Sequence, residues 1–595
     1  MPALLTKNAV PTTASWQERV KDKQHRILAD VPPQFIHPEL KFSDTEAQDV
    51  LDLPTFSQGN PARVMHFPEI YLKADELAIT ALKAEDIPPA IAAGTWTAVQ
   101  VLDAFTHRAV MAHQLLHCCI SFLYPQAREQ AEALDAEFAN TKRLVGPLHG
   151  VPLSVKDQCR IAGTETTCGY VANLGVWDEE DCLLVDILKK AGAVPFCKTT
   201  LSVGCMWGES INNIVGRANN PHNRAFTCGG SSGGEGALIG FHGSPLGVGS
   251  DLGGSIRTPS AYNGLHGLRP SSSRIPYYRV LNSMEGQEII PSVVGPMAQS
   301  TKSLQLFVKT VVDGQPWLLD PKSPPIPWRE KVVTYIKSRP LRLAFMHYDK
   351  HVLPQPPIRK ALRELEALLK EAGHDIVTMF VDALNQKRAD QFGSDVCTAD
   401  ADHDVQRTRD LSGEPKLPLL PAKGPGALPP QPMNLTESWA FAMDRMEYQA
   451  SVLKAWQATA ATTISGEPID AYITCVNPSV AHIHGEFGKV RYKGYCATAN
   501  VLDFSACTLP VTKMDVASNP PDQSETEDGF GKVIPSPQCD RDRWIRENYA
   551  RNLKEYDGMP IVLQIVARRW EEEKVLAVSE VVEELLNEKG LGLSA

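Results

Sequence analysis

Residues 229–270 read GGSSGGEGALIGFHGSPLGVGSDLGGSIRTPSAYNGLHGLRP, a tract of repeated glycines interleaved with serines. Flexible glycine-serine linkers are polar throughout, whereas here the apolar segments ALIGF (237–241) and PLGVG (245–249) lie between the glycines. Because glycine allows backbone segments to approach closely, this pattern favours tightly packed, buried backbone. The tract is therefore predicted to belong to the folded core and not to a linker.

Two catalytic or binding motifs fit the tract poorly. A phosphate-binding loop of the Walker type needs Lys followed by Ser or Thr, which is missing, and GVGSDLG has one residue too many for the dinucleotide motif GxGxxG. The nucleophile elbow G-x-S-x-G can be centred on Ser231 or on Ser232. However, an elbow follows a buried strand, and the preceding residues 222–228 (HNRAFTC) are too polar for one.

An apolar run upstream, VPLSV (151–155), leads directly into Lys156. A second run, AVPFC (193–197), follows a helix-like segment that ends at Gly192, and the order strand, helix, strand is typical of α/β folds. Alternation along the first strand places Ser154 and Lys156 on one face. If that face points inward, burial disfavours the ammonium form and the neutral amine can act as a base. A solvated lysine at the strand end is the alternative that these residues leave open.

Three blocks together resemble the amidase signature family: GPLHGVPLSVKD (146–157), CGGSSGGEGALIG (228–240) and GVGSDLGGSIRTPSAYNGLHGLRPS (247–271). They stand in the order and spacing of that family, with 75 residues from Lys156 to Ser231 and 24 from Ser231 to Ser255. The flanking segments NNIVGRANNPHN (212–223) and NSMEGQE (282–288) are most similar to the fungal acetamidase branch. The resemblance, which runs from about residue 15 to the end of the chain, implies an α/β amidase signature fold with a large mixed β-sheet covered by helices on both faces.

The resemblance implies a Ser-Ser-Lys triad. Carried over position by position, Ser255 is the acyl-accepting nucleophile, Ser231 is the bridging serine and Lys156 is the terminal base. These roles agree with the chemistry, because a serine hydroxyl attacks an amide carbonyl well only when a neighbouring group takes its proton. The resemblance also implies a cis peptide bond between Gly230 and Ser231.

The residues around the nucleophile are assigned supporting roles. Backbone N–H groups at Leu252, Gly253 and Gly254 are expected to form the oxyanion hole, since glycine lets such groups converge on one point. We expect Ser232 to support the hydrogen-bond network, and Asp251 and Arg257 to form a structural ion pair. Met206 matches a position whose backbone contacts substrate in the fatty acid amide hydrolase branch, although a methionine also serves as a core residue. Asp157 would stabilise the ammonium form of the lysine if it faced Lys156, but alternation predicts that it faces away.

These features predict a hydrolase that cleaves a carboxamide to a carboxylate and ammonia or an amine, acting on small aliphatic or aryl amides. The same acyl-transfer chemistry would also serve a carbamate ester or another ester. An amidotransferase subunit and a binding protein that has lost catalysis are less favoured alternatives. We expect no cofactor and no metal, and the resemblance favours a homodimer.

The composition of the chain limits which kinds of binding partner are expected. The 595 residues are 43% hydrophobic and 22% charged, as in ordinary globular proteins, and the net charge of −11 is not gathered into a tail, so nucleic acid is not an expected partner. No run of 18 apolar residues occurs and the N-terminal apolar run is short, which predicts a cytoplasmic protein that does not engage a membrane. The sequence has 13 cysteines and no CxxC motif, and we expect the cysteines to be reduced and mostly buried. His482 and His484 lack a third ligand in view, so a structural or surface role is favoured over a metal site.

Patterns along the chain predict one large domain, although the usual ratio of about 150 residues per domain suggests about four. Residues 1–60 are predicted to form an arm with a helix at 15–28, followed by a domain over 61–595 with a helical stretch through 95–140. Further helices are predicted at 436–459 and 572–588, and strands at 471–476 and 561–566. The segment 411–434, with seven prolines, and the polar segment 517–532 are predicted to be surface insertions.

Overall fold

A computed structural model of the chain describes residues 14–40, 61–417, 431–522 and 533–593. Its strands are β1 (Cys119–Phe122), β2 (Pro152–Lys156), β3 (Val194–Thr199), β4 (Ile211–Asn212), β5 (Gly216–Arg217), β6 (Leu246–Asp251), β7 (His266–Arg269), β8 (Val293–Ala298), β9 (Arg342–Met346), β10 (Asp375–Thr378), β11 (Ala471–Cys475), β12 (Ala506–Lys513) and β13 (Pro560–Val566).

Eleven of these strands form one mixed sheet in the order β1-β3-β2-β6-β8-β7-β12-β13-β11-β9-β10, and β4 pairs with β5 in a small separate ribbon. Strands β3, β2 and β6 run parallel, as do β11, β9 and β10, whereas the other neighbours in the large sheet are antiparallel. Strands β2, β3, β6 and β8 are buried along their whole length, so both faces of the sheet are covered there. The predicted α/β class with a mixed sheet is confirmed.

The helices that surround the sheet are α1 (Trp16–Arg26), α2 (Pro68–Tyr71), α3 (Ala74–Thr80), α4 (Ile87–Ala92), α5 (Ala98–Leu116), α6 (Tyr124–Thr141), α7 (Leu183–Lys190), α8 (Gly233–Gly240), α9 (Arg257–Asn263), α10 (Thr301–Asp313), α11 (Glu330–Lys337), α12 (Pro356–Glu371), α13 (Val381–Leu384), α14 (Gln386–Cys397), α15 (His403–Asp410), α16 (Leu435–Ala458), α17 (Phe487–Val490), α18 (Gly494–Leu502), α19 (Asp540–Arg551) and α20 (Glu572–Glu588). Within the described segments, no helix is both long and apolar enough to cross a bilayer.

The prediction of one helical stretch through 95–140 is wrong. Helix α5 begins at the cap formed by Thr97, whose side chain accepts from the Gln100 N–H, and ends where His117 adopts a left-handed conformation with φ of 54°. The buried residues 119–122 then add strand β1 to the edge of the sheet, antiparallel to β3, before Pro125 opens α6. The apolar residues of β1 fit a strand as well as a helix, and pairing with β3 decides between them.

The first described segment packs on the rest of the chain. Helix α1 starts with a capping box between Ser15 and Glu18, and Val20 on its inner face is buried. The Nζ atom of Lys23 lies 2.8 Å from Oε2 of Glu165, a carboxylate that is itself buried. These contacts agree with a packed helix in this part of the arm. The division into an arm at 1–60 and one domain at 61–595 stays a prediction.

The two predicted insertions lie partly outside the described residues, which omit 418–430 and 523–532. The beginning of the first insertion is anchored in the body, because buried Glu414 accepts hydrogen bonds from the Val171 N–H and the Asn213 side chain, both at 2.8 Å. Leu417 is buried as well. The segment is thus tied to the body at residues 414 and 417, while Leu411, Gly413, Pro415 and Lys416 are exposed, and the insertion at 411–434 stays a prediction.

Candidate active site

The carboxyl end of β2 carries the predicted base. Strand β2 lies between β3 and β6, with both of which it pairs in parallel, so its last residue faces the interior. Lys156 is fully buried, and its Nζ atom lies 2.6 Å from Oγ of Ser231 and 2.8 Å from Oγ of Ser250. The solvated alternative for this lysine is thereby excluded.

Ser231 stands at the entrance to helix α8. It is buried, and the peptide bond that joins it to Gly230 is cis. Gly230 allows this loop to pass close to the segment at 207–209, because an added Cβ at this glycine would lie 2.6 Å from the backbone oxygen of Trp207. Ser232 follows, and its Oγ accepts from the Ser250 N–H at 3.1 Å, so it ties the α8 entrance to strand β6.

The predicted nucleophile lies in the turn between β6 and α9. Ser255 is half-buried, and its hydroxyl has no hydrogen-bond partner among the described residues, so it remains available to a ligand. The carbonyl of Ser255 accepts from the Ser232 N–H at 3.2 Å, which holds the two serine-bearing loops side by side. The N–H groups of Leu252, Gly253 and Ser255 are likewise without a partner in the described part of the chain.

Gly254 differs from the predicted oxyanion donors. Its N–H donates to Oδ1 of Asp251 at 2.7 Å and is therefore already occupied. The residue instead supplies an unusual backbone conformation, with φ of 113°, which lets the turn bring the neighbouring N–H groups to one side. Of the three predicted oxyanion donors, Leu252 and Gly253 thus keep an N–H without a partner among the described residues, and Gly254 does not.

The ion pair between Asp251 and Arg257 fixes this turn. Both side chains are fully buried, and Nε of Arg257 lies 3.1 Å from Oδ2 of Asp251. Burial alone would raise the pKa of Asp251, but the charge and hydrogen bonds of Arg257 lower it well below its usual range. Because the same carboxylate also accepts from the Ile256 N–H at 3.2 Å, the pair has the structural part predicted for it.

Two polar groups that the sequence analysis did not single out hold the lysine in place. Ser250 accepts a hydrogen bond from Lys156 and donates to Oε1 of Gln158 at 2.5 Å, and the thiol of Cys205 reaches the same oxygen at 3.3 Å. Ser250 and Gln158 lie within or next to the recognised motifs, but only the pairing of β2 with β6 shows that they meet.

The carboxylates near the lysine do not pair with it. Oδ1 of Asp157 lies 2.9 Å from Nζ of Lys198, as expected for a side chain turned away from Lys156. Glu235 on α8 accepts from Ser154 at 2.6 Å and from Thr199 at 2.8 Å. Burial raises the pKa of Glu235 to about 8, so this carboxyl is mainly uncharged at neutral pH. Neither group therefore accepts a hydrogen bond from Lys156 within the described segments.

A narrow cavity of about 50 Å³ opens over the turn, and Ser255, Leu252 and Gly253 line one side of it. Met206 and Trp207 line another side, and the Trp207 ring meets the edge of the Phe487 ring with centroids 4.9 Å apart. The side chain of Met206 thus reaches the cavity, in agreement with its predicted neighbourhood, while contact with a substrate stays a prediction.

The two histidines are buried, and neither belongs to a metal cluster. His482 lines the cavity, and burial lowers its pKa to about 4, so its ring is neutral. His484 lies 3.6 Å from Glu209. In the described part of the chain, no group of three or more His, Cys, Asp or Glu side chains could hold a metal ion.

All 13 cysteines lie in described segments, all are free, and ten of them are buried.

A mixed sheet of this order, with a buried lysine-serine contact beside a glycine-rich turn, defines an amide-cleaving hydrolase fold, and the sequence profile of the amidase family matches residues 100–576. The chain belongs to the amidase signature family and is a hydrolase that acts on amides.

Similar proteins include two fungal acetamidases and one solved enzyme structure. The acetamidase of Emericella nidulans is 38% identical over 582 residues, covering 96% of this chain and 98% of the relative, and that of Aspergillus oryzae is 37% identical over 581 residues, covering 96% and 99%. The structure of a fatty acid amide hydrolase superposes with a TM-score of 0.82 at 29% identity, covering 96% of this chain and 95% of that one.

Proposed function

We propose that this chain hydrolyses the C–N bond of small carboxamides through an acyl-enzyme on Ser255, with Ser231 and Lys156 as the proton relay. The observation that carries the proposal is the buried contact of 2.6 Å between Nζ of Lys156 and Oγ of Ser231, next to a half-buried serine with a free hydroxyl. Nζ of Lys156 contacts the hydroxyl groups of Ser231 and Ser250, and the neighbouring carboxyls are turned away or uncharged, an arrangement suited to proton transfer between the lysine and Ser231.

In the acylation step, Oγ of Ser255 attacks the amide carbon and forms a C–O bond. Its proton passes to Oγ of Ser231, while the proton of Ser231 passes to Nζ of Lys156. The carbonyl oxygen becomes an oxyanion that the N–H groups of Leu252 and Gly253 can stabilise, and one such donor contributes roughly 2.7–4 kcal/mol.

Collapse of the tetrahedral intermediate then breaks the C–N bond. Ser231 gives its proton to the leaving nitrogen and is reprotonated by Lys156, which returns the lysine to its neutral form. Water attacks the acyl-enzyme by the same relay, releases the carboxylate and restores the Ser255 hydroxyl. No group outside the chain is required for the proton balance.

The size of the cavity supports small amides as substrates. About 50 Å³ above Ser255, bounded by the rings of Trp207 and Phe487, suits a short aliphatic or a single aryl group better than a long chain. The names of the two acetamidase relatives point in the same direction. A homodimer, implied by the resemblance, and a cytoplasmic location, expected from the apolar pattern of the sequence, are further predictions.

The proposal is tested with the purified full chain on acetamide, acetanilide and ethyl carbamate under one condition, with ammonia, aniline or ethanol as the readout. We expect acetamide or acetanilide to be hydrolysed and Ser255→Ala to release nothing above background. Faster turnover of the carbamate than of either amide would favour the urethane alternative. Absence of turnover on both amides, or full activity of Ser255→Ala, would overturn the proposal.

A further inference from the structure

The cavity over Ser255 is lined on its far side by two cationic side chains. Arg491 and Lys493 lie in the short connection between α17 and α18, and both are partly buried. Nζ and Cδ of Lys493 each lie 3.9 Å from the position that a Cβ on Gly253 would occupy, so the ammonium group stands directly over the turn that carries the oxyanion donors. The two positive charges therefore face the reacting centre.

Neither cation is paired with a carboxylate in the described part of the chain, although the charge of nearby Asp390 acts on both. The described residues that line the cavity include no Asp or Glu, and neither Arg491 nor Lys493 forms an ion pair within the described segments. The carboxylate of Asp390 accepts from the Lys493 backbone N–H at 2.9 Å, but it pairs with Arg541 at 2.9 Å. Nζ of Lys493 instead contacts the thiol of Cys397 at 3.8 Å.

Removing a cationic side chain from water without a counter-charge costs free energy, and buried cations in folded proteins are therefore normally paired with an anion. Burial and the charge of Arg491 lower the pKa of Lys493, as expected for two cations that share a poorly solvated site. Burial also lowers the pKa of Arg491. An anion in the cavity would relieve both effects, since the described residues that line it include no carboxylate.

From this arrangement we infer that Arg491 and Lys493 are specificity-determining residues that bind a carboxylate on the substrate, so the preferred substrates are short carboxamides with a second, anionic carboxylate group. The inference rests on the proposed function, because it assigns a substrate class to the Ser255 site. A planar guanidinium matches a carboxylate in two-point geometry, and the nearby ammonium adds a point charge. The narrow cavity limits such substrates to monoamides of short dicarboxylic acids.

Succinamate and succinamide test the inference, since they have the same shape and differ in a carboxylate against a neutral amide. We expect the full-length enzyme to show a kcat/KM for succinamate that is at least about tenfold higher than the kcat/KM for succinamide. The value for succinamide is first halved, because that compound has two equivalent amides. Arg491→Gln and Lys493→Gln should each reduce this ratio several-fold, and the double variant should bring it close to one. Lys489→Gln, which removes an equal charge from the ring face of Trp544 outside the cavity, should leave the ratio unchanged.

The outcomes separate the inference from the proposed function. Turnover of succinamide with no preference for succinamate, or a preference that survives in the double variant, would overturn the inference and leave the proposed function intact. Failure of the enzyme to hydrolyse either compound or acetamide would overturn both. Where a variant folds poorly, competitive inhibition of wild-type acetamide hydrolysis by succinate gives a second readout: inhibition that is at least tenfold stronger than by succinamide supports the carboxylate site, and equal inhibition contradicts it.

Discussion

The Nζ atom of Lys156 lies 2.6 Å from the Oγ atom of Ser231, and neither side chain is more than 1% exposed. A hydrogen bond of this length in a site without bulk water links the two groups as donor and acceptor in either direction. We propose that this pair moves the proton of a third group, Ser255, which lies in the adjacent turn and lines the cavity.

Replacement of the base should remove the proton relay without removing the nucleophile. We expect Lys156→Met to lower kcat/KM on a simple amide by about 10²–10⁴-fold, the usual contribution of general acid–base catalysis. The measurement is kcat/KM on acetamide, with Lys21→Met on the exposed face of α1 as the matched control, which should keep the wild-type value. An unchanged kcat/KM in Lys156→Met would contradict the role of the lysine.

Loss of the Asp251 carboxylate should destabilise the turn that holds the nucleophile. Asp251→Asn leaves the fully buried Arg257 without its counter-charge, which typically costs about 3–5 kcal/mol in the free energy of unfolding. Denaturant unfolding followed by tryptophan fluorescence measures the effect. Asp313→Asn, which breaks an exposed ion pair with Lys309, should cost less than about 1 kcal/mol. Equal midpoints for the two variants would show that the buried pair does not stabilise the turn.

Glu235 should make stability fall as the pH rises. Its pKa is raised from 4.5 to about 8 in the folded chain, so between these values the folded state holds a proton that the unfolded state has released. The stabilisation is fully present below about pH 4.5 and is lost as the pH rises through about 8. Glu235→Gln, which cannot ionise, should lose less stability than wild type between pH 5 and pH 8. Thermal midpoints at several pH values test this, and Glu137→Gln on the exposed surface of α6 should behave like wild type. A parallel pH dependence in Glu235→Gln and wild type would contradict the raised pKa.

The sequence predicts the catalytic centre better than its surroundings, for physical reasons. Lys156, Ser231 and Ser255 stand in contiguous motifs, and strand alternation places Lys156 and Ser154 on one face of β2, but only the pairing of β2 within the sheet shows that this face is buried. Residues 119–122 were assigned to a helix because a short apolar run fits both periodicities, and only pairing with β3 makes it a strand. The occupied N–H of Gly254 depends on the orientation of one carboxylate, which no spacing rule specifies.

The cavity wall could not be predicted from the motifs. Lys493 and Gly253 are separated by 240 positions in the chain, and they meet only because α17 and α18 fold over the turn after β6. The hydrogen bond between Ser250 and Gln158 cannot be predicted for the same reason, since it joins strand β6 to the turn that follows β2. Long-range contacts of this kind depend on the topology of the sheet and not on any local motif.

The most direct test of the acyl-enzyme is the site of covalent labelling by a sulfonyl fluoride or a fluorophosphonate. Intact-mass measurement should show one adduct per chain, peptide mapping should place it on Ser255, and Ser255→Ala should show neither adduct nor turnover. Lys156→Met should label much more slowly while Ser255 remains the site. An adduct on Ser231, with turnover retained in Ser255→Ala, would contradict the account.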